Sequence, residues 1–506
     1  MKNIINCVFV LTLIFSLVSC EDNFDEINTN KVDPTAVDPV FILNNAIIGS
    51  SFSTGGLKYD IGIVQQIITP NSGLLTGANY NQDNRDGAAE QWIDYYETVI
   101  KNTGDLINQL SETPEQSNLL NMGRLIQAYT FMVLTDDYGD IPYFEAGKGY
   151  SDQIVLPAYD AQEDIYMDLI KEVKEATAGF SDSAQPVPGE VLYSGDLDKW
   201  RKLGNSLLLR IGMRLTKVNP AMAQQLVQDA FAGGLMESNA DNYVIRHDNN
   251  FTNAIGATLN GSEANNYYLV DTFVDYLKDN QDPRLEAIAV RYIGASSGPE
   301  QIPSNASTAA EDQIGMPMGN DNISIQTAVS DLGLASFYDF SQADRTRIVK
   351  TNAPMFMLTY GQTQLLLAEA AVRGWVNGAP EGYYESGVRA HMEQMALYDE
   401  ESAISEEDIN SYLTDNPYDG ANALEQINTQ YWVASFLNGP EAFANFRRSG
   451  YPDLNPNTYP GQDILGDFIN RLTYPNSEIA VNGEHVNEAI ARMGPDNLDT
   501  HVWWDE

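Results

Sequence analysis

Cys20 is the residue whose position points most directly to a chemical reaction. It follows Ser19 and ends an apolar run that begins at Cys7, behind the basic Lys2. Such a run is typical of a signal peptide, and it is shorter than the roughly 20 apolar residues that a membrane-spanning helix needs. The Leu-x-Ser-Cys pattern resembles a bacterial lipoprotein box, in which the chain is cut before the cysteine and the cysteine is acylated; the alternative is a secreted protein with an incidental cysteine. We therefore predict a signal peptide over residues 1–19 and a lipid anchor on Cys20.

Residues that hold metals in other proteins are present but not suitably spaced. Four histidines occur far apart in the sequence, at His247, His391, His485 and His501. None stands in the H-E-x-x-H pattern that would bind zinc. The loops from Asn79 to Asp86 and from Asn320 to Asn322 carry oxygen ligands that could hold calcium, but neither matches an EF-hand loop. The sequence predicts no metal site.

Carboxylates are abundant but do not identify an active site. The chain has 71 acidic and 28 basic residues, for a formal net charge of −43. This charge repels phosphate backbones and anionic head groups, so it excludes nucleic acid as a partner and leaves membrane attachment to the acyl chains. With so many carboxylates no pair is informative, and a two-carboxylate glycosidase has no specific support. We predict no catalytic residue and no cofactor.

Helical periodicity dominates the chain from Asp38 onward, because apolar residues recur every three to four positions. Thr113 with Gln116 is predicted to form a capping box, and Asp160 a second N-cap. Pro220 is predicted to begin another helix. The remaining predicted helices lie at about 38–48, 88–110, 113–133, 160–173, 198–215, 267–278, 358–373, 381–397, 406–413, 421–437 and 484–492.

The domain organisation follows from where this periodicity fails. Residues 20–37 are polar and irregular, which is typical of a tether. We predict a single, mostly α domain over residues 38–506, interrupted by a loop-rich insertion at about 237–354. Within it, residues 294–322 show no periodicity, and so long a segment is usually functional or disordered. The helix pairs could form an α-solenoid, but no clean 34-residue period proves tetratricopeptide repeats.

Several large side chains are predicted to be buried. Trp92, Trp200 and Trp432 lie on periodic helix faces, which favours the core over a ligand site. The Arg447-Arg448 pair is predicted to anchor carboxylates inside the fold. Glu369, on an apolar helix, is predicted to pair with an arginine.

Six segments, in order, resemble motifs of the SusD/RagB family, and especially of its SusD-like subgroup. Together with the tether around Ile27 to Pro34 they cover nearly all the chain after Cys20. Gly204 departs from the family pattern, which has alanine there. The segments are YGDIPY at 138–143, WRKLGNSLLLR at 200–210, LLLAEAAVRG at 365–374, YYESGVR at 383–389, FRRSGYP at 446–452 and RLTYP at 471–475.

The resemblance implies both a fold and a function. It implies four tetratricopeptide-like helix pairs with long irregular loops that form the ligand face. It also implies a non-catalytic lipoprotein that acts as a lid over a TonB-dependent outer-membrane barrel of the SusC type and passes it an oligosaccharide, or in some members a peptide. The acidic Glu21 and Asp22 after Cys20 resemble a signal for export to the cell exterior. A surface glycosidase or peptidase, and a structural or adhesive lipoprotein, remain as alternatives.

The resemblance also directs the search for ligand contacts to loops with tyrosine beside Asn or Asp. In glycan-binding proteins aromatic faces stack on sugar rings while amides and carboxylates bind the hydroxyls. The first candidate is the loop from Thr76 to Arg85, and the others lie in the insertion. The predicted ligand-binding residues are Tyr80, Asn81, Asp83, Tyr292, Tyr338 and Phe340.

Overall fold

Helices form most of the computed structural model, which describes residues 37–70, 77–261 and 266–505. The predicted signal peptide, Cys20 and the predicted tether up to residue 36 lie outside these ranges. Helices before the insertion are α1 (Pro39–Gly49), α2 (Asp60–Ile63), α3 (Arg85–Asp94), α4 (Lys101–Leu110), α5 (Ser117–Tyr138), α6 (Gln162–Ala178), α7 (Leu197–Arg214) and α8 (Pro220–Gly233). The later ones are α9 (Ala254–Asn260), α10 (Asp271–Asp279), α11 (Arg284–Ile288), α12 (Ile325–Asp331), α13 (Tyr360–Val372), α14 (Pro380–Tyr398), α15 (Glu406–Asp415), α16 (Ala423–Ala434), α17 (Gly439–Ser449), α18 (Asn476–Val481) and α19 (Gly483–Met493).

Consecutive helices pack against one another as tetratricopeptide-like pairs. Helix α5 packs on α4 and α6, α7 on α6 and α8, and α13 on α14 and α16. Their apolar stripes meet in one core, in which Trp92, Trp200 and Trp432 are buried as predicted. The predicted fold class, mostly α with tetratricopeptide-like helix pairs and long irregular loops, is confirmed.

Short antiparallel strands join distant parts of the chain. Strand β1 (Ile67–Ile68) pairs with β5 (Tyr268–Leu269), and β2 (Ile141–Pro142) pairs with β3 (Tyr159–Asp160). Strand β4 (Tyr243–Ile245) pairs with β9 (Met355–Leu358). Strand β6 (Ala289–Tyr292) lies between β7 (Ala306–Ser307) and β8 (Gln342–Ala343). Within the described ranges, none of the helices combines the length and apolarity that a membrane span requires.

Buried ion pairs tie the helices together. Arg448 forms two bonds to Glu369, of 2.8 and 2.7 Å, which confirms the predicted pairing of Glu369 and the predicted role of Arg448. Arg447 instead donates to the backbone carbonyl of Asn470 at 2.8 Å and forms no ion pair of this kind among the described residues. Arg214 bridges Asp136 (3.1 Å) and Glu441 (2.6 Å). All of these side chains are buried, and a buried charge of this kind requires a partner.

Both predicted N-caps are wrong. A 3-10 turn, Pro114–Gln116, precedes α5, and Thr113 makes no side-chain cap. The Asp160 carboxylate does not cap α6 but accepts the backbone N–H groups of Tyr143 and Phe144, at 3.0 and 2.9 Å, and so stabilises the neighbouring β2 turn. The Asp160 carboxylate therefore binds the N–H groups of Tyr143 and Phe144 instead of the N–H groups in the first turn of α6.

The insertion contains more helix than predicted. Besides α10, which the sequence predicts, it contains the short helices α9, α11 and α12. Residues 294–322 consist of 3-10 turns and strand β7. Arg291, at their start, donates to the backbone oxygens of Asp339 and Asp312, both at 2.8 Å. The segment is therefore held to the insertion by hydrogen bonds despite its lack of periodicity.

Candidate functional site

Three loop segments meet around the side chain of Asn79. Its Nδ2 donates to the carbonyls of Thr69 (2.8 Å) and Asn320 (2.9 Å), and its Oδ1 accepts from the backbone of Gly319 (3.0 Å). Asn457 in turn donates to the carbonyl of Asn79 at 2.9 Å. Carboxamide side chains therefore hold this surface together. We call it the loop face, and it consists of residues 77–83, 317–322 and 457–463.

The three residues predicted in the first loop all lie on the loop face. Tyr80 is buried; its hydroxyl donates to the carbonyl of Pro70 (2.8 Å), and its ring lies 4.4 Å from that of Tyr459. Burial, with the nearby Tyr459 and Asp321, raises the pKa of Tyr80, so its hydroxyl stays neutral. The ring of Tyr80 thus supports the loop face, and the ring of Tyr459 covers it.

Asn81 and Asp83 also make internal contacts. Asn81 is buried in the left-handed conformation (φ 47°), and its carbonyl accepts from the backbone of Asp463 at 2.8 Å. The Asp83 carboxylate accepts from Thr473 at 2.6 Å and pairs with Arg85 at 3.2 Å. These contacts fix the loop and leave the proposed ligand role of both residues a prediction.

The other three predicted residues lie in the insertion, in two adjoining aromatic clusters. Phe340 is fully buried, so its ring offers no face to a ligand in this structure. Tyr292 is also buried, with the guanidinium of Arg345 5.1 Å from its ring centre. Tyr338 is half-buried and packs against Phe337, with ring centres 4.2 Å apart. Of these three, Tyr338 is the one whose ring a ligand could reach.

Sequence reasoning missed Tyr459, the half-buried ring on the loop face. It stands in the segment Asn455-Pro-Asn-Thr-Tyr459, which has the same tyrosine-beside-asparagine signal that selected the loop from Thr76 to Arg85. Its position in the C-terminal part, almost 380 residues from Tyr80, hid the contact. Phe337 was missed because it precedes the predicted Tyr338 and carries no signal of its own.

The structure also shows whether the loops with oxygen ligands could bind a metal ion. The two loops with oxygen ligands that were considered for calcium meet, through the bond from Asn79 to Asn320. In the part of the chain that the structure describes, no three His, Cys, Asp or Glu residues are grouped so that they could hold a metal ion.

The hydrolase motif G-x-S-x-G occurs at residues 294–298, in the insertion. Its Ser296 follows strand β6 and precedes a 3-10 turn, Gly298–Glu300, instead of the helix that a nucleophile elbow requires. The Ser296 hydroxyl donates to the carboxylate of Glu300 at 2.7 Å. The Ser296 hydroxyl is thus bonded to a carboxylate that stabilises the turn, and not to the histidine base of a hydrolase.

The chain matches a family model over most of its length. The model is SusD-like_2, described as "Starch-binding associating with outer membrane", and it matches residues 30–475. The chain belongs to the SusD-like family. Among curated proteins, none matches the chain.

Solved structures agree with this SusD-like assignment. A chitin-binding protein is 30% identical, with a TM-score of 0.82, over 93% of this chain and 100% of its own. A Bacteroidetes SusD-like protein is 25% identical, with a TM-score of 0.81 and the same coverage. A SusD homolog from Bacteroides fragilis, 24% identical with a TM-score of 0.75, covers 93% of this chain and 100% of its own and supports the fold. SusD-like proteins are nutrient-binding proteins associated with the outer membrane.

Proposed function

We propose that this protein is a non-catalytic, cell-surface lipoprotein that captures an oligosaccharide and delivers it to a SusC-type TonB-dependent transporter. The observation that carries the proposal is the full-length similarity to a chitin-binding protein within the SusD-like family. The lipid anchor on Cys20 and the outward orientation belong to the same proposal.

The loop face supplies chemistry that suits a neutral glycan. The ring of Tyr459 is half-buried and offers an apolar surface, and the nearby Gln462 and Asp463 of the same segment are exposed. Tyr338 offers a second reachable ring in the insertion. Stacking on such rings together with amide and carboxylate hydrogen bonds is how proteins bind sugars. The net charge of −43 disfavours anionic polymers at the same surface.

Affinity electrophoresis of the purified protein against soluble chitin oligomers, starch and mixed peptides tests the proposal. We expect retarded migration on one neutral glycan and no release of shorter products. Tyr459→Ala and Tyr338→Ala should each weaken binding about fivefold, since a ring contact contributes about 1 kcal/mol. Tyr150→Ala is the matched control, because Tyr150 is fully exposed in the segment between β2 and β3. Binding to peptides alone, or turnover of the glycan, would contradict the proposal.

The anchor and the partner are tested separately in cells. Cys20→Ala should move the protein out of the outer-membrane fraction, because the acyl chains are lost with the thiol. The wild-type protein, extracted in mild detergent, should co-purify with a TonB-dependent barrel. Membrane retention of the Cys20→Ala variant would contradict lipid anchoring.

A further inference from the structure

A second cavity lies among the helices, away from the loop face. It has a volume of about 360 Å³ and opens between α10, α14, α15 and α16. Its lining includes three tyrosines, from three of these helices, together with several carboxamides. Asn280 follows the last turn of α10, whereas Asp271, in the first turn of the same helix, bonds to Met316 beside the loop face. The two sites therefore lie toward opposite ends of α10.

The floor of the cavity is a fixed set of hydroxyl groups. Gln430 Nε2 donates to the hydroxyls of Tyr276 and Tyr412, both at 2.9 Å. The Gln430 amide cannot be turned round, because its Oε1 accepts from Arg284 at 2.7 Å and a guanidinium has only donors. Arg284 is itself held by Asp282. Both tyrosine oxygens therefore accept from Gln430. A further hydrogen bond joins the hydroxyls of Tyr412 and Tyr276, so one of their two protons remains as a donor for a ligand.

Tyr384 adds a third hydroxyl to this cavity. Its side chain is 1% exposed, and no hydrogen-bond partner for its hydroxyl occurs among the described residues. The hydroxyl is not among the fully buried unpartnered atoms, so its oxygen reaches the open cavity. Tyr384 is thus a largely buried residue whose hydroxyl is free to form hydrogen bonds with a ligand in the cavity.

The walls supply acceptors to complement these donors. Asn280 and Asn416 use their Nδ2 groups on backbone carbonyls, that of Tyr276 at 2.7 Å and that of Tyr412 at 3.2 Å. Their side-chain oxygens receive no hydrogen bond from the described residues. Asp419 is held by the N–H of Ala421 and by Asn422, which lower the pKa of Asp419 and keep it a carboxylate.

Charge narrows the class of ligand. No Lys, Arg or His side chain is among the described residues that line the cavity, whereas Asp419 and Glu425 both contribute to it. An anionic ligand would therefore meet repulsion without a compensating cation. The side chains offer hydroxyl donors, carbonyl acceptors and tyrosine rings at the same time. This combination matches a neutral ligand with several hydroxyl groups.

We propose that this cavity, between α10, α14, α15 and α16, binds a small neutral polyhydroxylated molecule of one or two sugar rings. A volume of about 360 Å³ lies at the lower end of the range for small-molecule sites and does not suit a long polymer. The site is separate from the loop face and does not depend on the glycan-capture proposal.

Saturation-transfer NMR on the purified protein tests this site. The probes are D-glucose, N-acetyl-D-glucosamine and maltose, with D-glucuronate as the anionic and choline as the cationic control. We expect saturable binding of at least one neutral sugar and none of either charged probe. Tyr384→Phe, which removes only the hydroxyl, should weaken that binding about tenfold. Thr429→Met, which fills the cavity from α16, should abolish it.

Two comparisons keep the result specific. Tyr383→Phe is the matched control: Tyr383 is the neighbour of Tyr384 on α14, and its hydroxyl donates to the carbonyl of Asn377 instead. It should leave binding unchanged. Thermal unfolding identifies any variant that fails to fold. The proposal is overturned if no neutral sugar binds, if choline binds more tightly, or if Tyr384→Phe and Thr429→Met bind as the wild type does.

Discussion

Glu369 is a carboxylate held inside the protein by two arginines. Arg448 bonds to both of its oxygens, and Arg373 reaches one of them at 2.7 Å. Burial alone would raise the pKa of Glu369, but the charges and hydrogen bonds of Arg448 and Arg373 outweigh burial and lower it to about 2. A carboxyl group with a lowered pKa stabilises the fold above its ordinary pKa near 4.5, and that contribution is lost as the pH falls toward 2.

We therefore expect Glu369→Gln to lower the free energy of unfolding by about 3–5 kcal/mol at pH 7, because it leaves Arg448 buried without a counter-charge. Urea unfolding at pH 7 and pH 2.5 measures the loss, which should narrow at the lower pH. Glu381→Gln, an exposed change on α14, should alter the free energy by no more than about 0.5 kcal/mol. A loss at pH 7 no larger than that of the control would contradict the argument.

For single residues, the sequence predicts that a side chain is anchored inside the fold more reliably than it predicts which groups that side chain contacts. The pairing of Arg448 with a carboxylate is predictable, since so few basic residues occur among so many acidic ones. Arg447, by contrast, lies with its guanidinium 3.7 Å from the ring centre of Phe443 and donates to the carbonyl of Asn470. The burial of Tyr80 and Phe340 was equally hidden, because segments far away in the chain cover their rings.

At the scale of the element, Gly204 shows how closely two helices approach. A Cβ at this position of α7 would lie 2.0 Å from Oγ1 of Thr177 in α6. This contact explains glycine where the family pattern has alanine. Glycine inside a helix costs about 1 kcal/mol relative to alanine, whereas overpacking costs about 1–3 kcal/mol.

We expect Gly204→Ala to destabilise the protein by about 1 kcal/mol, and to become neutral or stabilising in a Thr177→Ala background. Urea unfolding of the two single variants and the double variant gives the interaction free energy. Gly382, inside α14 with nothing within 4 Å of its would-be Cβ, is the control, and Gly382→Ala should stabilise by about 0.5–1 kcal/mol. Equal effects of Gly204→Ala in both backgrounds would show that the helix contact does not decide this position.

Helices with long apolar stripes were predictable, and their ends were not. The stripes of α5, α7 and α13 follow from local spacing, whereas the role of Asp160 depends on a turn that packs beside it. Helix α17 was not predicted, although Asn438 caps it by accepting from the backbone of Glu441 and Gly450 ends it at φ 77°. Its interior is almost fully buried, including Glu441 and both arginines, so its polar residues concealed the core pattern.

At the scale of the whole molecule, acidic residues outnumber basic ones, and some of these carboxyl groups are buried in the core. Asp60 and Asp137 are buried near Arg447, and neither carboxylate oxygen of Asp137 has a hydrogen-bond partner among the described residues. Burial raises the pKa of both carboxyl groups, the charge of Asp60 raises that of Asp137 further, and Arg447 opposes the rise. Two carboxylates beside one guanidinium favour retention of a proton in the folded state.

A group with a raised pKa binds its proton more tightly in the folded than in the unfolded chain. Its contribution to stability is therefore complete below the ordinary aspartate pKa near 4 and is lost as the pH rises toward the folded value, at about 1.4 kcal/mol for each unit of difference. Asp137→Asn keeps the shape of the side chain and removes the ionisation. We expect this variant to gain stability relative to the wild type between pH 5 and pH 8.

Urea unfolding across that range measures the difference, and Asp136→Asn supplies the contrast. Asp136 accepts from Arg214 and from the indole of Trp504, so its loss should destabilise the protein at every pH in the range. If the free energy of unfolding of Asp137→Asn depends on pH as steeply as that of the wild type, the retained proton does not reside on the pair Asp60 and Asp137. A flatter slope would show that the acidic character of the chain includes a protonated carboxyl group in its interior, where surface charge and solvent do not reach.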